Sequence, residues 1–371
     1  MKIDGTPYRS VWLDAEDRTC VHIFDQTKLP WSLVRLDLRH QDEVAHAIRT
    51  MQVRGAPLIG AVAVYGLVLA LTRDPSNESL ESNAAMLAAT RPTAINLVWA
   101  IDRMLRHLRP LPPAARVEAA YMEAATICDE DVATNEAIGQ HGLELIREIW
   151  SAKQARSGNS GAGRINVLTH CNAGWIATVD WGTALAPIYL AHDAGLPVHV
   201  WVDETRPRNQ GALLTAWELG RHGVPHTLVA DNAGGHLMQR RDVDLVIVGC
   251  DRVTRSGDVA NKIGTYLKAL AAFDNEVPFW VALPSTTIDW TLEDGVRDIP
   301  IEERSASEVL DVQGLGADGR PTSVRVAPDG TPAANPAFDV TPARLVSGLL
   351  TERGRCAASR EALEAMFPER A

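Results

Sequence analysis

The sequence lacks an apolar run of about eighteen residues, the length that a membrane-spanning helix requires. Its first ten residues, MKIDGTPYRS, lack the hydrophobic core of a signal peptide. The five cysteines are scattered and form no Cys-x-x-Cys pair, and neither His170 nor His236 has a partner at metal-ligand spacing. We therefore predict a reduced, cytoplasmic protein with no membrane partner, no disulfide framework and no metal.

Positive charge is also scarce. The chain has 36 Lys and Arg against 47 Asp and Glu, which gives a formal net charge of −11. Proteins that bind a nucleic-acid backbone carry a basic face, so we predict no nucleic-acid partner. An anionic ligand would have to be bound by a few local cations, since the overall field repels it.

The glycine fingerprint of a dinucleotide site is missing too. Gly161-Ala162-Gly163 precedes a predicted strand instead of following one, so these glycines are not placed to bind a pyrophosphate. A nicotinamide-dependent dehydrogenase is therefore disfavoured.

What is present predicts two domains, since compact units usually span roughly 100–200 residues. Residues 1–35 alternate as short strands do, and helical spacing then continues from Gln41 to about Trp150. Residues 151–163, rich in Gly, Ser and polar side chains, read as a linker. Residues 164–371 alternate strands with helices. We predict an α/β protein with a mainly helical N-terminal domain (1–150) carrying a small β-meander, and a Rossmann-like parallel-sheet catalytic domain (164–371).

Polar side chains follow each strand of the predicted sheet. These strands are 165–169, 198–202, 226–229, 245–248 and 279–283, with helices at 181–192 and 211–219. Because ligands of parallel α/β sheets bind beyond the carboxyl ends of the strands, this edge is the expected rim of an active site.

The segment after the fourth strand carries the most chemistry. Leu245–Val248 is wholly apolar, and Asp251 follows just beyond its end. Asn261 and Lys262 follow at the predicted start of a helix, about a dozen residues on, where one loop can bring the three together. A solvated ion pair on a surface loop is the alternative interpretation.

Two arginines precede helices. Arg54-Gly55-Ala56-Pro57 leads into the apolar run 61–71, and Arg91-Pro92 precedes a second helical stretch. Free N–H groups at a helix start attract anions, and a guanidinium fork suits phosphate. A capped helix with an exposed arginine is the alternative.

Cys171 follows the first strand of the sheet, ahead of a glycine-containing turn and a predicted helix. The amino terminus of that helix is expected to lower the pKa of the thiol. An inert buried cysteine is the alternative. Cys250, beside Asp251, is predicted to be a packing residue.

Six blocks together resemble the methylthioribose-1-phosphate isomerases and cover nearly the whole chain. They are Arg54–Pro57, Thr169–Gly174, Asp203–Gly211, Gly257–Thr265, Ile299–Arg304 and Asn335–Pro342. The broader superfamily also holds ribose-1,5-bisphosphate isomerases and regulatory subunits of a translation-initiation nucleotide-exchange factor. Cys250 departs from the pattern, which has alanine before the catalytic aspartate.

The resemblance implies conversion of 5-methylthioribose 1-phosphate to 5-methylthioribulose 1-phosphate in methionine salvage, by a homodimer without a cofactor. It implies that Asp251 is the proton donor and Cys171 the second catalytic residue. Substrate-binding residues implied in the same way are Arg54, Gly55, Ala56, Arg91, Gln210, Asn261 and Lys262.

The expected chemistry begins with ring opening, because a sugar phosphorylated at its anomeric carbon cannot open spontaneously to an aldehyde. A protonated Asp251 would donate to the ring oxygen, and hydrogen would then pass from C2 to C1. An enolate-like route involving Cys171 and a direct hydride shift both remain open.

Two other functions compete with this prediction. One is the same isomerisation of 5-deoxyribose 1-phosphate or another pentose 1-phosphate. The other is a non-catalytic regulatory binding protein of the same superfamily, against which the presence of both Cys171 and Asp251 weighs.

Overall fold

The computed structural model describes residues 2–91, 93–157 and 163–370. The strands in this part of the chain are β1 Lys2–Ile3, β2 Thr6–Pro7, β3 Val11–Leu13, β4 Val21–Phe24, β5 Arg35–Leu38, β6 Ile165–His170, β7 Val198–Asp203, β8 His226–Val229, β9 Leu245–Val248, β10 Arg252–Thr254, β11 Val259–Lys262, β12 Phe279–Ala282, β13 Ile288–Asp289, β14 Asp311–Leu315, β15 Pro321–Arg325, β16 Phe338–Thr341, β17 Gly348–Thr351 and β18 Gly354–Cys356. The α-helices are α1 Gln41–Arg49, α2 Ala56–Leu71, α3 Asn77–Ala88, α4 Ile95–Leu108, α5 Pro113–Ser157, α6 Ala186–Asp193, α7 Ala216–His222, α8 Gly234–Gln239, α9 Thr265–Asp274, α10 Gly295–Asp298, α11 Ser307–Leu310 and α12 Arg360–Met366.

A seven-stranded sheet in the order β18-β17-β12-β9-β6-β7-β8 organises the second half of the chain. All its neighbouring strands are parallel except β17 and β18. The four residues of β9 are fully buried, as a strand covered by helices on both faces must be. The five predicted strands are all present, and the predicted α/β class with a Rossmann-like parallel sheet is confirmed. Strand β17 and the edge strand β18 are additions that the pattern did not indicate.

The first half is mainly helical, with β3, β4 and β5 forming the predicted antiparallel meander. Helix α2 lies at the centre of this half and is buried along nearly its whole length, packed by α1, α3, α4 and α5. A helix that is apolar on every side must be enclosed in this way.

Helix α5 joins the two halves. It is one helix of 45 residues, and it continues to Ser157, inside the stretch predicted as a linker. Residues 158–162 of that stretch, including Gly161 and Ala162, lie outside the described residues. The helix packs on α2 in the first half and on α6 in the second half, so it is part of the packing of both halves. The division into two domains stays a prediction.

Two predicted helix starts are corrected, and a third helix begins where predicted but with a different kind of turn. The helix predicted from 181 begins at Ala186, and the one predicted over 211–219 opens with a π-helical turn, Gly211–Thr215, before α7. The helix start predicted near Asn261 is wrong, because Asn261 and Lys262 end strand β11, which pairs with β10 and β16. Gly264, in the left-handed region at φ 101°, turns the chain into α9.

The contact between α5 and α6 generates a first prediction. A Cβ added at Gly142 would lie 2.3 Å from Cγ of Pro187. We expect Gly142→Ala to lower the free energy of unfolding by about 1–3 kcal/mol through overpacking, although alanine is the better helix former by about 1 kcal/mol. Chemical denaturation measures the change.

Gly220→Ala in α7 is the matched control, because a Cβ there would meet only the His226 ring, at 3.6 Å. This control should be neutral or stabilising. If Gly142→Ala leaves the free energy of unfolding unchanged or raises it, as expected for the control, close packing of α5 on α6 is contradicted.

Candidate active site

One cavity lies where the carboxyl ends of β6, β7 and β9 face the amino terminus of α2, with an empty volume of about 640 Å³ including its mouth. All nine catalytic and binding residues predicted from the sequence line it, namely Arg54, Gly55, Ala56, Arg91, Cys171, Gln210, Asp251, Asn261 and Lys262. The folded chain therefore brings together residues as far apart in sequence as Arg54 and Lys262.

Gly55 allows the helical half to reach this edge. Its φ of 98° is in the left-handed region, and a Cβ there would lie 2.3 Å from the carbonyl oxygen of Ala177. Only glycine permits this approach. The first turn of α2, with Pro57 near its start, consequently points its N–H groups at the cavity, where an anion would be stabilised.

Arg54 is 8% exposed and is held at two points by one residue. Its Nη1 donates to Oδ1 of Asn172 at 2.5 Å, and its Nη2 donates to the carbonyl oxygen of Asn172 at 2.7 Å. Burial lowers the pKa of Arg54, while Cys171 and Asp251 oppose that change. The alternative of an exposed arginine beside a capped helix is thereby contradicted.

Cys171 occupies a left-handed conformation at φ 65°, which is uncommon for a residue with a side chain. Its N–H donates to Oγ1 of Thr205 at 2.8 Å, and its carbonyl accepts from Oγ1 of Thr215 at 2.6 Å. These bonds hold the turn, and Sγ donates to Oε1 of Gln210 at 3.0 Å. The thiol is therefore fixed towards the predicted binding residue Gln210.

The expected lowering of the thiol pKa is wrong. Burial raises the pKa of Cys171, and the charges of Arg54 and Lys262 lower it by less. The physical reason is that the turn after β6 leads into a short 3-10 turn, Trp175–Ala177, and not into the long helix whose dipole was expected to favour the thiolate.

Asp251 follows β9 and is anchored through its backbone N–H, which donates to the carbonyl of Ala260 at 2.9 Å. Burial raises the pKa of its carboxyl group, and Lys262, Arg91 and Arg54 lower it by less. A raised pKa makes the protonated form of this carboxyl group more accessible than that of an ordinary aspartate, which suits it to donate a proton. Its position inside the cavity also disfavours the interpretation of this segment as a solvated surface loop.

Lys262 and Asn261 come from the end of β11. Lys262 Nζ lies 4.4 Å from the centroid of the Phe338 ring, a cation–π distance. Burial lowers the pKa of Lys262, while Cys171 and Asp251 oppose this. Asn261 Nδ2 donates to Oγ1 of Thr265 at 3.0 Å, which ties the strand end to the start of α9.

Arg91 reaches the cavity from the loop before α4. Its Nη2 is 2.8 Å from Oε2 of Glu302, whose Oε1 is 2.9 Å from Nη1 of Arg304. This chain of charges holds the 299–304 segment beside the site. Pro92, the second residue of the predicted loop-to-helix pair, lies outside the described residues.

A second, apolar cavity adjoins the first and shares Gly55, Ala56, Arg91, Asp251 and Phe338 with it. The walls that distinguish it are mostly aliphatic, namely Ile59, Thr93, Ala94, Arg252, Ala260, Ile299, Pro300 and Ile301. This second cavity can therefore hold an apolar group of a ligand whose polar part is bound in the first cavity.

Sequence reasoning assigned no role to Asn172, Glu218 or Glu302. Asn172 appeared in the sequence only as a member of the block Thr169–Gly174, and Glu302 only as a member of the block Ile299–Arg304. Glu218 lies within α7, where a glutamate ordinarily indicates a solvated helix face, yet it is 1% exposed. Only the packing of α7 behind the cavity reveals it.

A group with metal-ligand spacing occurs elsewhere in the described residues, in the meander. Its members are Cys20, His22 and Asp37, and none of them lines the cavity. The Asp37 carboxylate already bonds His22 Nδ1 at 2.8 Å and Arg35 Nε at 3.1 Å. The absence of a metal stays a prediction. No helix in residues 2–91, 93–157 or 163–370 has the length and apolar character needed to cross a membrane.

The fold and the residues around the cavity define the class of protein. The sequence model that describes the initiation factor 2 subunit family matches residues 52–358, and the chain belongs to this family. The family contains proteins with different names, so relatives at higher identity are needed to distinguish them.

Two curated relatives are 68% identical, and each is named methylthioribose-1-phosphate isomerase. The protein of Gluconobacter oxydans aligns over 369 residues and that of Acidiphilium cryptum over 371, in both cases over 100% of this chain and 99% of the relative. The resemblance predicted from the six sequence blocks is confirmed.

Solved structures agree. The 5-methylthioribose 1-phosphate isomerase of Pyrococcus horikoshii has a TM-score of 0.82 at 38% identity, over 98% of this chain and 97% of its own. The subunit delta of translation initiation factor eIF-2B from A. fulgidus has a TM-score of 0.78 at 37% identity, over 98% and 100%.

The raised thiol pKa generates a second prediction. Iodoacetamide should alkylate Cys171 slowly at pH 7, and faster as the pH rises beyond about 8.5, the value of an ordinary cysteine, because the thiolate reacts and burial disfavours it. Mass spectrometry of the Cys171 peptide separates this reaction from that of Cys250, and glutathione serves as the reference thiol. Alkylation at pH 7 faster than that of glutathione would contradict the raised pKa.

Proposed function

We propose that this protein isomerises 5-methylthioribose 1-phosphate to 5-methylthioribulose 1-phosphate, a step of methionine salvage. The observation that carries the proposal is the convergence of Cys171, Asp251 and three cationic side chains in one cavity. Full-length relatives at 68% identity that are named for this reaction support it.

The phosphate is bound where positive charge gathers. Arg54, Arg91 and Lys262 line the cavity, and the amino terminus of α2 adds its free N–H groups at Ala56. Guanidinium groups bind phosphate oxygens with two donors at once, and buried cations act in a low dielectric. The few local cations thus provide the attraction that the net charge of −11 denies to the surface.

Ring opening is the step that Asp251 performs. Its carboxyl group, whose pKa is raised by burial, donates a proton to the ring oxygen as the bond from that oxygen to C1 breaks. A positioned general acid of this kind accelerates a reaction by about 10²–10⁴-fold. Lys262 and Arg91, which oppose the raised pKa, are charge-neutralised when the phosphate binds, so substrate itself favours the protonated acid.

Hydrogen transfer from C2 to C1 follows one of two routes. In the enolate route the Cys171 thiolate, which burial disfavours and Arg54 and Lys262 favour, takes the C2 proton and returns it to C1. In the hydride route hydrogen moves with its electron pair from C2 to C1, and the thiol stays protonated, bonded to Gln210. In both routes the C2 hydroxyl proton passes to the Asp251 carboxylate as the C2=O bond forms, which restores the acid. Retention of a C2 deuterium label at C1 of the product distinguishes the second route from the first.

The methylthio group occupies the apolar cavity beside Asp251, against Ile59, Ile299 and Ile301. Apolar walls exclude water there and give no hydrogen bond to a 5-hydroxyl group. The same walls also accept a methyl group, which is the observation that favours 5-deoxyribose 1-phosphate as a second candidate substrate.

We also propose a cytoplasmic homodimer, as the family resemblance implies. Leu267 and Phe273 on α9 are 65% and 64% exposed, which supports a surface that is covered in an assembly.

The test of the function uses purified protein, 5-methylthioribose 1-phosphate and no added cofactor or metal, with ketose formation followed by phosphorus NMR. A parallel sample contains 5-deoxyribose 1-phosphate. We expect turnover of the first with clear preference. Equal or better use of the second would shift the substrate to 5-deoxy sugars, and binding without turnover of either would indicate a regulatory protein.

Asp251→Asn tests the acid. Because an amide cannot donate a proton to the ring oxygen, we expect kcat to fall by about 10²–10⁴-fold with little change in substrate binding. Asp274→Asn, the same chemical change on the exposed end of α9, is the control and should retain activity. An Asp251→Asn enzyme with kcat within a few-fold of the control would remove Asp251 as the acid.

A further inference from the structure

We propose that Glu218 is a positioning residue for this reaction: through Asn172 it fixes the Arg54 guanidinium in the orientation that binds the substrate phosphate. The inference rests on the proposed function and adds to it a residue that the sequence motifs do not include.

Glu218 lies on α7 behind the cavity, and its carboxylate is saturated by three donors. Oε1 accepts from Asn172 Nδ2 at 2.8 Å. Oε2 accepts from the Trp175 N–H at 2.9 Å and from the Tyr189 hydroxyl at 2.8 Å. No donor in this set can be exchanged for an acceptor without leaving a polar atom buried and unpaired.

The carboxylate is the nearer of two acceptors that set which way the Asn172 amide faces, since Thr215 Oγ1 also accepts from Nδ2, at 3.2 Å. Because Nδ2 must donate to Glu218, Oδ1 is turned to the opposite side, where it accepts from Nη1 of Arg54. If the amide were reversed, its NH₂ group would face the guanidinium of Arg54, and no hydrogen bond could form between the two donors. With the backbone carbonyl of Asn172 bound to Nη2, the guanidinium plane is fixed by one residue, and Glu218 fixes that residue.

The local structure is shaped to admit this carboxylate. A Cβ at Gly174 would lie 2.0 Å from Oε2 of Glu218, so the residue before Trp175 must be glycine for the side chain to reach the loop. Burying a carboxylate is costly, and here burial raises the pKa of Glu218 to about 7, opposed by Asn172, Tyr189, Trp175 and Arg54. A carboxyl group kept buried at such a cost, with only Asn172 between it and a binding cation, points to a role at the site.

A double-mutant cycle separates this role from a merely structural one. Glu218→Gln places an NH₂ among the three donors and releases the Asn172 amide, so we expect KM for 5-methylthioribose 1-phosphate to rise roughly tenfold, with kcat changed less. In an Arg54→Lys background, where the guanidinium fork is already absent, the same substitution should change KM by less than about twofold.

Two further variants keep the test decisive. Asn172→Ala removes the link itself and should raise KM as Glu218→Gln does, which covers the case that Glu218→Gln does not fold. Glu148→Gln, the same change at an exposed carboxylate of α5, is the matched control and should leave KM unchanged. Thermal unfolding of each variant establishes that it is folded.

The outcomes are distinguishable. If wild-type protein turns over the substrate and the effects of Glu218→Gln and Arg54→Lys multiply independently, Glu218 does not act through Arg54 and the inference is overturned. If wild-type protein shows no turnover, the proposed function fails. The cycle is then read from the Kd of inorganic phosphate by calorimetry, where coupling of the two sites supports the inference and independence overturns it.

Discussion

The contact between Gly55 and Ala177 is the constraint on which the site depends. Because Gly55 has no side chain, the start of α2 meets the loop after β6 at backbone distance, closer than any other residue allows. This contact joins the two sources of the chemistry. The helical half contributes Arg54 and the N–H groups of α2, and the sheet contributes Cys171 and Asp251 at the ends of its strands. Neither half contains the complete set.

Electrostatics explains why these groups are kept away from water. Burial shifts the pKa values of Asp251, Cys171 and Lys262 in the direction that favours the neutral form of each group. Nearby charges of opposite sign oppose each shift. The protonation states of the cavity residues therefore depend on a balance between desolvation, which favours neutral forms, and attraction between opposite charges. A bound phosphate dianion satisfies the cations and shifts that balance, so binding and the protonation of the acid are coupled through charge.

Sequence reasoning selected residues that the fold brings to one cavity, because a polar residue just beyond the end of a buried parallel strand is badly placed to serve the core. Asp251 after the apolar run 245–248 and Cys171 after β6 were predicted on that ground, and both line the cavity. The failures have local physical causes. Asn261 was read as a helix start because the pairing of β11 with β16, eighty residues away, is not visible in local pattern. The thiol pKa was misjudged because a 3-10 turn follows Cys171 and the expected helix begins only at Ala186. Glu218 was invisible, since nothing in a helical stretch distinguishes a buried carboxylate from a solvated one.

We expect the Asp251 carboxyl group, whose pKa is raised by burial, to be protonated in the folded protein and available to the ring oxygen of the substrate. Infrared difference spectroscopy of wild-type protein minus Asp251→Asn at neutral pH tests it directly, with and without inorganic phosphate. We expect the C=O stretch of a protonated carboxylic acid, and we expect it to be stronger when phosphate neutralises Arg54, Arg91 and Lys262. Carboxylate bands alone, in both samples, would contradict it.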